Sequence, residues 1–229
     1  MTPADPRVLA LIPAHDEGPR IEAVVRGARR QLPVLVVDDG STDDTGARAE
    51  GAGAAVLVQR PNRGKGEALR AGFRWAIASG YEAVLTLDGD GQHDPAEIPS
   101  FLAAYRAGAP DLVIGRRDFA RMPLTRRLAN SASQRVFSWA VGRSIPDNQS
   151  GYRLLGRRLM EALDDSREAG FEFEVEMITT CIRRGYRLTW VPIRTIYGGE
   201  PSHIEPVRHV SHFLRVAWQA RRTVHLPPD

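Results

Sequence analysis

The chain has 229 residues, of which 42% are hydrophobic and 26% charged, so its composition is that of a folded globular protein with a substantial core. Its single cysteine, Cys181, excludes an intrachain disulfide and a cysteine-based metal centre, and favours a reducing environment. The formal net charge of +3 is small, but six arginines and one acid lie between residues 116 and 135, which indicates an anionic partner for one surface.

The sequence carries no signal of membrane insertion. No apolar run reaches 18 residues, and the N-terminus lacks the basic and apolar blocks of a signal peptide. We therefore expect a chain that does not span a membrane and that works in the cytoplasm or at the inner face of the membrane. The pI near 9.4 raises nucleic acid as a partner, but no recognisable binding motif accompanies it, so no nucleic-acid partner is predicted.

Short apolar runs alternate with helical patterns through about residue 115. Strands are predicted at residues 8–12, 34–37, 55–58, 83–87 and 111–114. Helices are predicted at residues 21–31, from residue 43, at 65–79 and from residue 95. This alternation predicts βαβ units and a Rossmann-like α/β fold, with a mainly parallel sheet and helices on both faces.

The pattern changes in the second half of the chain. Helices are predicted at residues 123–141, 173–184 and about 209–222, the last one basic, and a strand at 188–193. A short segment at 152–155 lies between a turn and the next helix. We find no internal repeat, linker or domain boundary, so we expect residues 1–229 to form a single domain.

Two acids one residue apart, Asp88 and Asp90, follow an apolar strand and precede a helix that Asp94 and Pro95 can begin. Carboxylate oxygens suit Mg²⁺ or Mn²⁺, and a cation held there could bridge the oxygens of a diphosphate. Gln92 could add a carbonyl oxygen. An isolated Asp-x-Asp pair is often only a turn, but its place at a strand end favours a metal site.

Two further strand ends carry polar residues. Asp38 and Asp39 could accept hydrogen bonds from a nucleotide base or from ribose hydroxyls, whereas helix capping alone would explain the residues at 41–43. The segment at 62–66 (NRGKG) precedes a helix and suits an anionic ligand. Its spacing is not that of a Walker loop, so an ATPase is not predicted.

Together these motifs resemble the family-2 glycosyltransferases of the GT-A fold, and among them the dolichyl-phosphate or polyprenyl-phosphate hexosyltransferases. The resemblance covers most of residues 7–215. It is carried by residues 12–17 (IPAHDE), 37–45 (VDDGSTDDT), 62–66 (NRGKG), 88–95 (DGDGQHDP) and 147–153 (DNQSGYR). The Gln-x-x-Arg-Trp signature of the processive polysaccharide synthases is absent from the sequence, so polymer synthesis is not expected.

The resemblance implies an inverting transfer of a hexose from a UDP- or GDP-sugar. It places a donor-binding half at about residues 7–115 and an acceptor-binding half at about 116–215. Four residues, Pro13, Glu17, Asp39 and Lys65, are expected around the nucleotide. Asp88 is expected to contact both the nucleotide and the Mg²⁺ or Mn²⁺ ion, beside Asp90 and Gln92. A tail segment at 197–203 is expected near the donor diphosphate.

The sequence leaves more alternatives open for the acceptor than for the donor. The resemblance favours polyprenyl or dolichyl phosphate, bound by Arg116 and Arg127 with Arg153 as a third candidate, and contact with a membrane surface would follow from such an acceptor. A hydroxyl acceptor is the alternative, with Asp147 as general base beside the catalytic Asp90. With a phosphate acceptor, Asp147 would instead orient Arg153 or a loop, or be a simple turn acid. A non-catalytic nucleotide-sugar-binding protein is the remaining alternative.

Overall fold

A seven-stranded sheet forms the centre of the computed structural model, which describes residues 5–119, 124–166, 168, 170, 172–194 and 206–224. The strands are β1 (Val8–Ala14), β2 (Val34–Asp39), β3 (Ala55–Gln59), β4 (Ala83–Thr86), β5 (Leu112–Arg117), β6 (Arg153–Gly156) and β7 (Leu188–Ile193). Their order across the sheet is β3-β2-β1-β4-β6-β5-β7.

The helices are α1 (Gly18–Arg29), α2 (Thr45–Gly51), α3 (Lys65–Ala78), α4 (Ile98–Gly108), α5 (Leu124–Val141), α6 (Arg157–Ala162), α7 (Glu172–Arg183) and α8 (Pro206–Val224). A 3-10 turn at Pro95–Glu97 leads into α4, and the Asp94 carboxylate accepts the N–H of Ala96 at 2.9 Å, as its predicted capping role requires. Within the described residues, no helix has both the length and the apolar content needed to cross a bilayer.

All strand pairings are parallel except those of β6, which runs antiparallel between β4 and β5. The predicted mainly parallel sheet is therefore confirmed. Because β6 reverses the direction twice, β5 runs parallel to β4, and the carboxyl ends of β1, β2, β4 and β5 meet at one edge. The register aligns Thr86, Arg153 and Ile114 across these three strands.

Helices cover both faces of the sheet, as predicted. Alternate residues of β1 point to opposite faces: Leu9 and Leu11 pack with Phe73 of α3, whereas Ala10 and Ile12 pack with Val25 of α1. The face of α3 also carries buried residues of α5, α6, α7 and α8, and the other face those of α1, α2 and α4. Loops at the carboxyl edge are thus held between two packed layers.

Candidate active site

A cavity of about 320 Å³ opens at the carboxyl ends of β1, β2 and β4, beside the first turn of α3. Six residues predicted for the donor and metal site line it together: Pro13, Glu17, Asp39, Lys65, Asp88 and Asp90. Its volume is that of a small-molecule pocket. The topology brings these residues together although they are spread over nearly 80 positions of the sequence, because parallel strands end at the same edge.

Lys65 connects two carboxylates in the wall of this cavity. Its Nζ lies 2.6 Å from Oδ1 of Asp88 and 2.9 Å from Oε1 of Glu174, a residue of α7 whose side chain is buried. Burial alone would lower the pKa of Lys65, but these two carboxylates raise it above its ordinary value. Burial also opposes ionisation of Asp88, yet the Lys65 ammonium lowers the pKa of that carboxyl below its usual range.

Glu174 was not identified from the sequence. It lies in the segment EFEVE at the beginning of α7, where an acid is unremarkable in the first turn of a helix. Its contact with Lys65 spans 109 positions of the sequence. Gly151 closes the same cluster, since a Cβ there would lie 3.0 to 3.2 Å from Glu174, Asp88 and Lys65. A side chain at that position would therefore press on all three charged groups.

His93 supports the backbone of Asp88. Its Nδ1 accepts the N–H of Asp88 at 3.0 Å, and its ring stacks on Tyr152 at 5.0 Å between centroids. Burial lowers the pKa of His93, which agrees with a neutral ring whose Nδ1 is an acceptor. His93 thus holds the backbone at Asp88 in place through this hydrogen bond.

The neighbouring acids Asp38 and Asp39 point to opposite faces of β2. Asp39 lines the cavity and accepts the backbone N–H groups of Arg63 and Gly64 at 2.8 and 2.7 Å, so it holds the loop before α3. Asp38 faces α2, accepts the N–H of Ser41 at 3.0 Å and is absent from the cavity wall. Only Asp39 is therefore positioned to contact a ligand there.

The loop after β1 is held by the loop after β2. Asp16, which has a positive φ of 54°, accepts the N–H of Thr42 at 2.7 Å, and Asp43 accepts the N–H of Gly18 at 3.0 Å. Glu17 donates its N–H to Thr45 at 2.8 Å. These hydrogen bonds fix Glu17 at the cavity mouth, and they account for the polar residues at 41–45 without a ligand.

Besides Asp39, the carboxylates of Glu17, Asp88 and Asp90 line the cavity. Burial raises the pKa of Glu17, and Asp90 and Asp88 raise it further against the opposing effect of Arg20. Such mutual repulsion is the electrostatic condition that a cation relieves. Among the described residues no group of three His, Cys, Asp or Glu side chains already has metal-binding geometry, but one or two carboxylates completed by ligand phosphates is the usual Mg²⁺ site.

Gln92, the third predicted metal ligand, is exposed and does not line the cavity. Its backbone N–H instead binds Oδ1 of Asp90 at 2.9 Å. Of the three predicted metal ligands, Asp88 and Asp90 line the cavity, and their carboxylate oxygens fit a hard divalent cation.

Asp147 is fully buried and is bound to Arg117 of β5. Its two oxygens accept from Nε and Nη2 of Arg117 at 2.7 and 3.0 Å, from the N–H of Arg117 at 3.3 Å and from the N–H of Gln149 at 3.0 Å. A carboxylate with four donors and no exposed surface is not positioned to take a proton from an acceptor. The sequence did not predict this pair.

The three candidate arginines for the acceptor lie in different environments. Arg116 is exposed at the end of β5, and Arg127 is exposed on α5. Arg153 is 1% exposed, and its guanidinium donates to the backbone carbonyls of Ser150, Asn148 and Glu174. Arg153 therefore supports the chain around Gly151 and does not face an acceptor. The predicted tail contact at 197–203 lies outside the described residues.

A model of the family described as "Glycosyl transferase family 2" matches residues 10–164, which include Asp39, Lys65, Asp88, Asp90 and Asp147. The chain belongs to glycosyl transferase family 2. The predicted family membership is confirmed, and the protein is a glycosyltransferase. Glu174 lies beyond the matched residues.

Two curated relatives have names that specify a lipid phosphate. The undecaprenyl-phosphate mannosyltransferase of Micrococcus luteus is 35% identical over 205 residues, which cover 82% of this chain and 82% of that protein. The polyprenol monophosphomannose synthase of Mycolicibacterium smegmatis is 36% identical over 203 residues, which cover 82% and 76%.

Among solved structures, glucosyl-3-phosphoglycerate synthase from Mycobacterium tuberculosis, in complex with Mn²⁺, uridine diphosphate and phosphoglyceric acid, superposes with a TM-score of 0.75. The match has 20% sequence identity and covers 99% of this chain and 81% of that one. At this identity the likeness concerns the fold, and it confirms the predicted GT-A architecture.

Proposed function

We propose that this glycosyltransferase moves a hexose from a UDP- or GDP-sugar to a polyprenyl phosphate, and that Asp88 and Asp90 would hold a Mg²⁺ or Mn²⁺ ion, which would supply positive charge to the donor diphosphate. The observation that carries the proposal is the alignment of the carboxylate-lined cavity with exposed Arg116 at one edge of the sheet. The names of the relatives from M. luteus and M. smegmatis support a lipid-phosphate acceptor.

The donor would occupy the cavity. Asp39 and Pro13 form the part of its wall that lies at the ends of β2 and β1, where a nucleoside could bind, and Glu17 lies at its mouth. Lys65 holds Asp88 in place. The bound cation would offset the negative charge that develops on the departing nucleoside diphosphate.

The acceptor phosphate would bind beside it. Asp88 lies two residues beyond Thr86, and Arg116 two residues beyond Ile114, in the register that aligns Thr86 and Ile114 through β6. β4 ends at Thr86 and is separated from β5 by β6, so the backbones of these two strands lie two inter-strand spacings, or about 10 Å, apart. A hexose between diphosphate and acceptor fits this separation, with Arg127 as the second candidate ligand for the acceptor.

A phosphate acceptor also agrees with the environment of Asp147. An ionised phosphate oxygen can attack the anomeric carbon without a general base, as the bond from that carbon to the diphosphate breaks on the opposite face. A hydroxyl acceptor would need a base, and Asp147 is already bound to Arg117. Asp147 is therefore better understood as a positioning residue for the end of β5.

The decisive test compares two acceptors that differ only in the phosphate. Purified protein is incubated with UDP- and GDP-hexoses, Mn²⁺ or Mg²⁺, and either undecaprenyl phosphate or undecaprenol, and the lipid product is identified by mass spectrometry. We expect product only from the phosphate. Product from undecaprenol alone, or no turnover with any donor and either lipid, would contradict the proposal.

Two substitutions test the donor site and the acceptor site separately. Asp90→Asn should lower kcat about a hundredfold or more, because it removes charge at the metal site. Arg116→Gln should raise the KM for undecaprenyl phosphate about tenfold, because a charge-assisted hydrogen bond is lost. Arg157→Gln is the matched control, since this exposed arginine lies at the opposite edge of the sheet, where its N–H binds the carbonyl of Glu82.

A further inference from the structure

Helices α5 and α8 pack against each other and expose two tryptophans. Trp139 near the end of α5 is 58% exposed, and Trp218 on α8 is 59% exposed. Both helices already bury another face, through Phe137 and Ala140 on α5 and Val216 and Ala220 on α8. The indoles are therefore not part of the core, and their exposure costs hydrophobic free energy unless something covers them.

The two tryptophans belong to one surface. The guanidinium of Arg221 lies over the ring of Trp139, 4.5 Å from its centroid, and donates to the Trp139 carbonyl at 3.4 Å. Arg221 follows Trp218 by three positions on α8, so the two are neighbours on that helix. Trp218 is thus within one helical turn of the contact that joins α8 to Trp139.

Arginines flank both indoles. Exposed Arg135 precedes Trp139 by one turn of α5, and exposed Arg215 precedes Trp218 by one turn of α8. The two helices contain seven arginines and neither aspartate nor glutamate. We name the surface formed by Arg135, Trp139, Arg215, Trp218 and Arg221 the tryptophan–arginine patch.

We propose that the tryptophan–arginine patch docks the protein on the surface of an anionic lipid bilayer. Indole rings partition into the headgroup region of a membrane because one part of the ring is apolar and the N–H stays hydrated. Arginines beside them are attracted by anionic headgroups, and neither helix itself carries an acid. The patch stands on the outer sides of two packed helices, so docking requires no unfolding.

This inference goes beyond the proposed function, because binding to a bilayer needs neither donor nor catalysis.

The test is flotation of the purified full chain with vesicles of phosphatidylcholine alone or of phosphatidylcholine mixed with phosphatidylglycerol. We expect binding to the mixed vesicles, lost as salt is raised, and a blue shift of the tryptophan emission on binding. Arg135→Gln with Arg215→Gln should lower the partition coefficient about tenfold or more. Trp139→Ala with Trp218→Ala should lower it by a similar factor and abolish the blue shift.

Matched controls lie on the far side of the molecule. Arg26→Gln changes an exposed arginine of α1, and Val58→Ser changes a residue of β3 that is 50% exposed; both should bind vesicles like the parent. Circular dichroism spectra of all variants should coincide. Transfer to a short-chain, water-soluble prenyl phosphate should be unchanged in the patch variants, which separates docking from catalysis.

Three outcomes would overturn the proposal. The parent could fail to bind mixed vesicles, both double variants could bind them as well as the parent, or the arginine and valine controls could lose binding equally. A fourth would assign the patch to another occupant: if the parent were a dimer in light scattering and only the tryptophan variant dissociated it, with vesicle binding unchanged, the patch would be an interface between copies of this chain.

Discussion

Lys65 shares its ammonium between two carboxylates that come from distant parts of the chain. One of them, Asp88, is also the proposed ligand of the divalent cation, so Lys65 and the cation compete for the same charge. Glu174 reduces this competition, because it offsets part of the Lys65 charge from the other side. The buried carboxylate of Glu174 on α7 would therefore act as a positioning residue for the proposed metal site.

Glu174→Gln tests this role. The amide keeps the shape and one acceptor but removes the negative charge, so Lys65 should bind Asp88 more strongly. Asp88 should then bind the cation more weakly. We expect the Mn²⁺ concentration for half-maximal transfer to rise about threefold to tenfold, which corresponds to ~0.7 to 1.4 kcal/mol. Titration of the initial rate with Mn²⁺ at saturating donor measures it.

The same substitution at Glu161 provides the control. Glu161 is exposed and pairs with Arg157 on α6, away from the cavity. An unchanged Mn²⁺ requirement in Glu174→Gln, or an equal rise in Glu161→Gln, would show that Glu174 does not tune the site.

Side-chain direction at a strand end was accessible to sequence reasoning in one case and not in another. Successive residues of a strand point to opposite faces, so Asp38 and Asp39 cannot both face one ligand, and the period alone could have separated them. The pairing of Asp147 with Arg117 could not be foreseen in the same way. It depends on how the segment before β6 returns to the sheet, and no local pattern encodes that path.

At the scale of elements, the sequence predicts regular strands and helices well, but it predicts poorly where a short strand pairs within the sheet. The strands and helices of residues 8–114 have clear periods, and all of them are present in the structure. β6 has only four residues, Arg153–Gly156, and a segment this short carries no period that identifies it as a strand. Its antiparallel place between β4 and β5 is a long-range pairing, which local periodicity does not determine.

The loop after β2 and the loop before α3, the second of which lines the cavity, pack closely against each other at Gly40. This residue has a φ of +75°, and a Cβ there would lie 2.7 Å from the backbone nitrogen of Asn62. Gly40→Ala would thus strain its own backbone and displace the loop that Asp39 holds. We expect it to lower the free energy of unfolding by more than ~1 kcal/mol and to weaken nucleotide binding.

Gly51→Ala is the comparison, because Gly51 ends α2 and a Cβ there would meet nothing within 4 Å. Alanine at a helical position should raise the free energy of unfolding by ~0.4 to 1 kcal/mol. Urea denaturation followed by circular dichroism measures both. If the two variants shifted stability in the same direction, the close packing of the loops would not be the constraint that we describe.

At the scale of the whole molecule, positive and negative charge lie on different surfaces. The chain is basic overall, with a formal net charge of +3, and α5 and α8 carry seven arginines and neither aspartate nor glutamate. The donor cavity is instead lined by Glu17, Asp39, Asp88 and Asp90 against the single ammonium of Lys65. An anionic nucleotide would thus meet an anionic cavity, so we expect both nucleotide binding and catalysis to require a divalent cation.

This division predicts how ligands stabilise the fold. UDP or GDP alone should change the melting temperature little, and Mn²⁺ alone only slightly, whereas the preferred nucleotide with Mn²⁺ at about 100 times its Kd should add ~2.7 kcal/mol of stability. For a domain of this size that corresponds to a rise of about 5 to 10 °C.

Asp90→Asn should remove the joint stabilisation by nucleotide and Mn²⁺, because it deletes one proposed cation ligand. Arg116→Gln should retain this stabilisation, because the proposed acceptor arginine does not line the donor cavity. A melting temperature that rose equally with nucleotide alone would mean that the carboxylates do not repel the diphosphate, and that the cavity binds its donor without a metal.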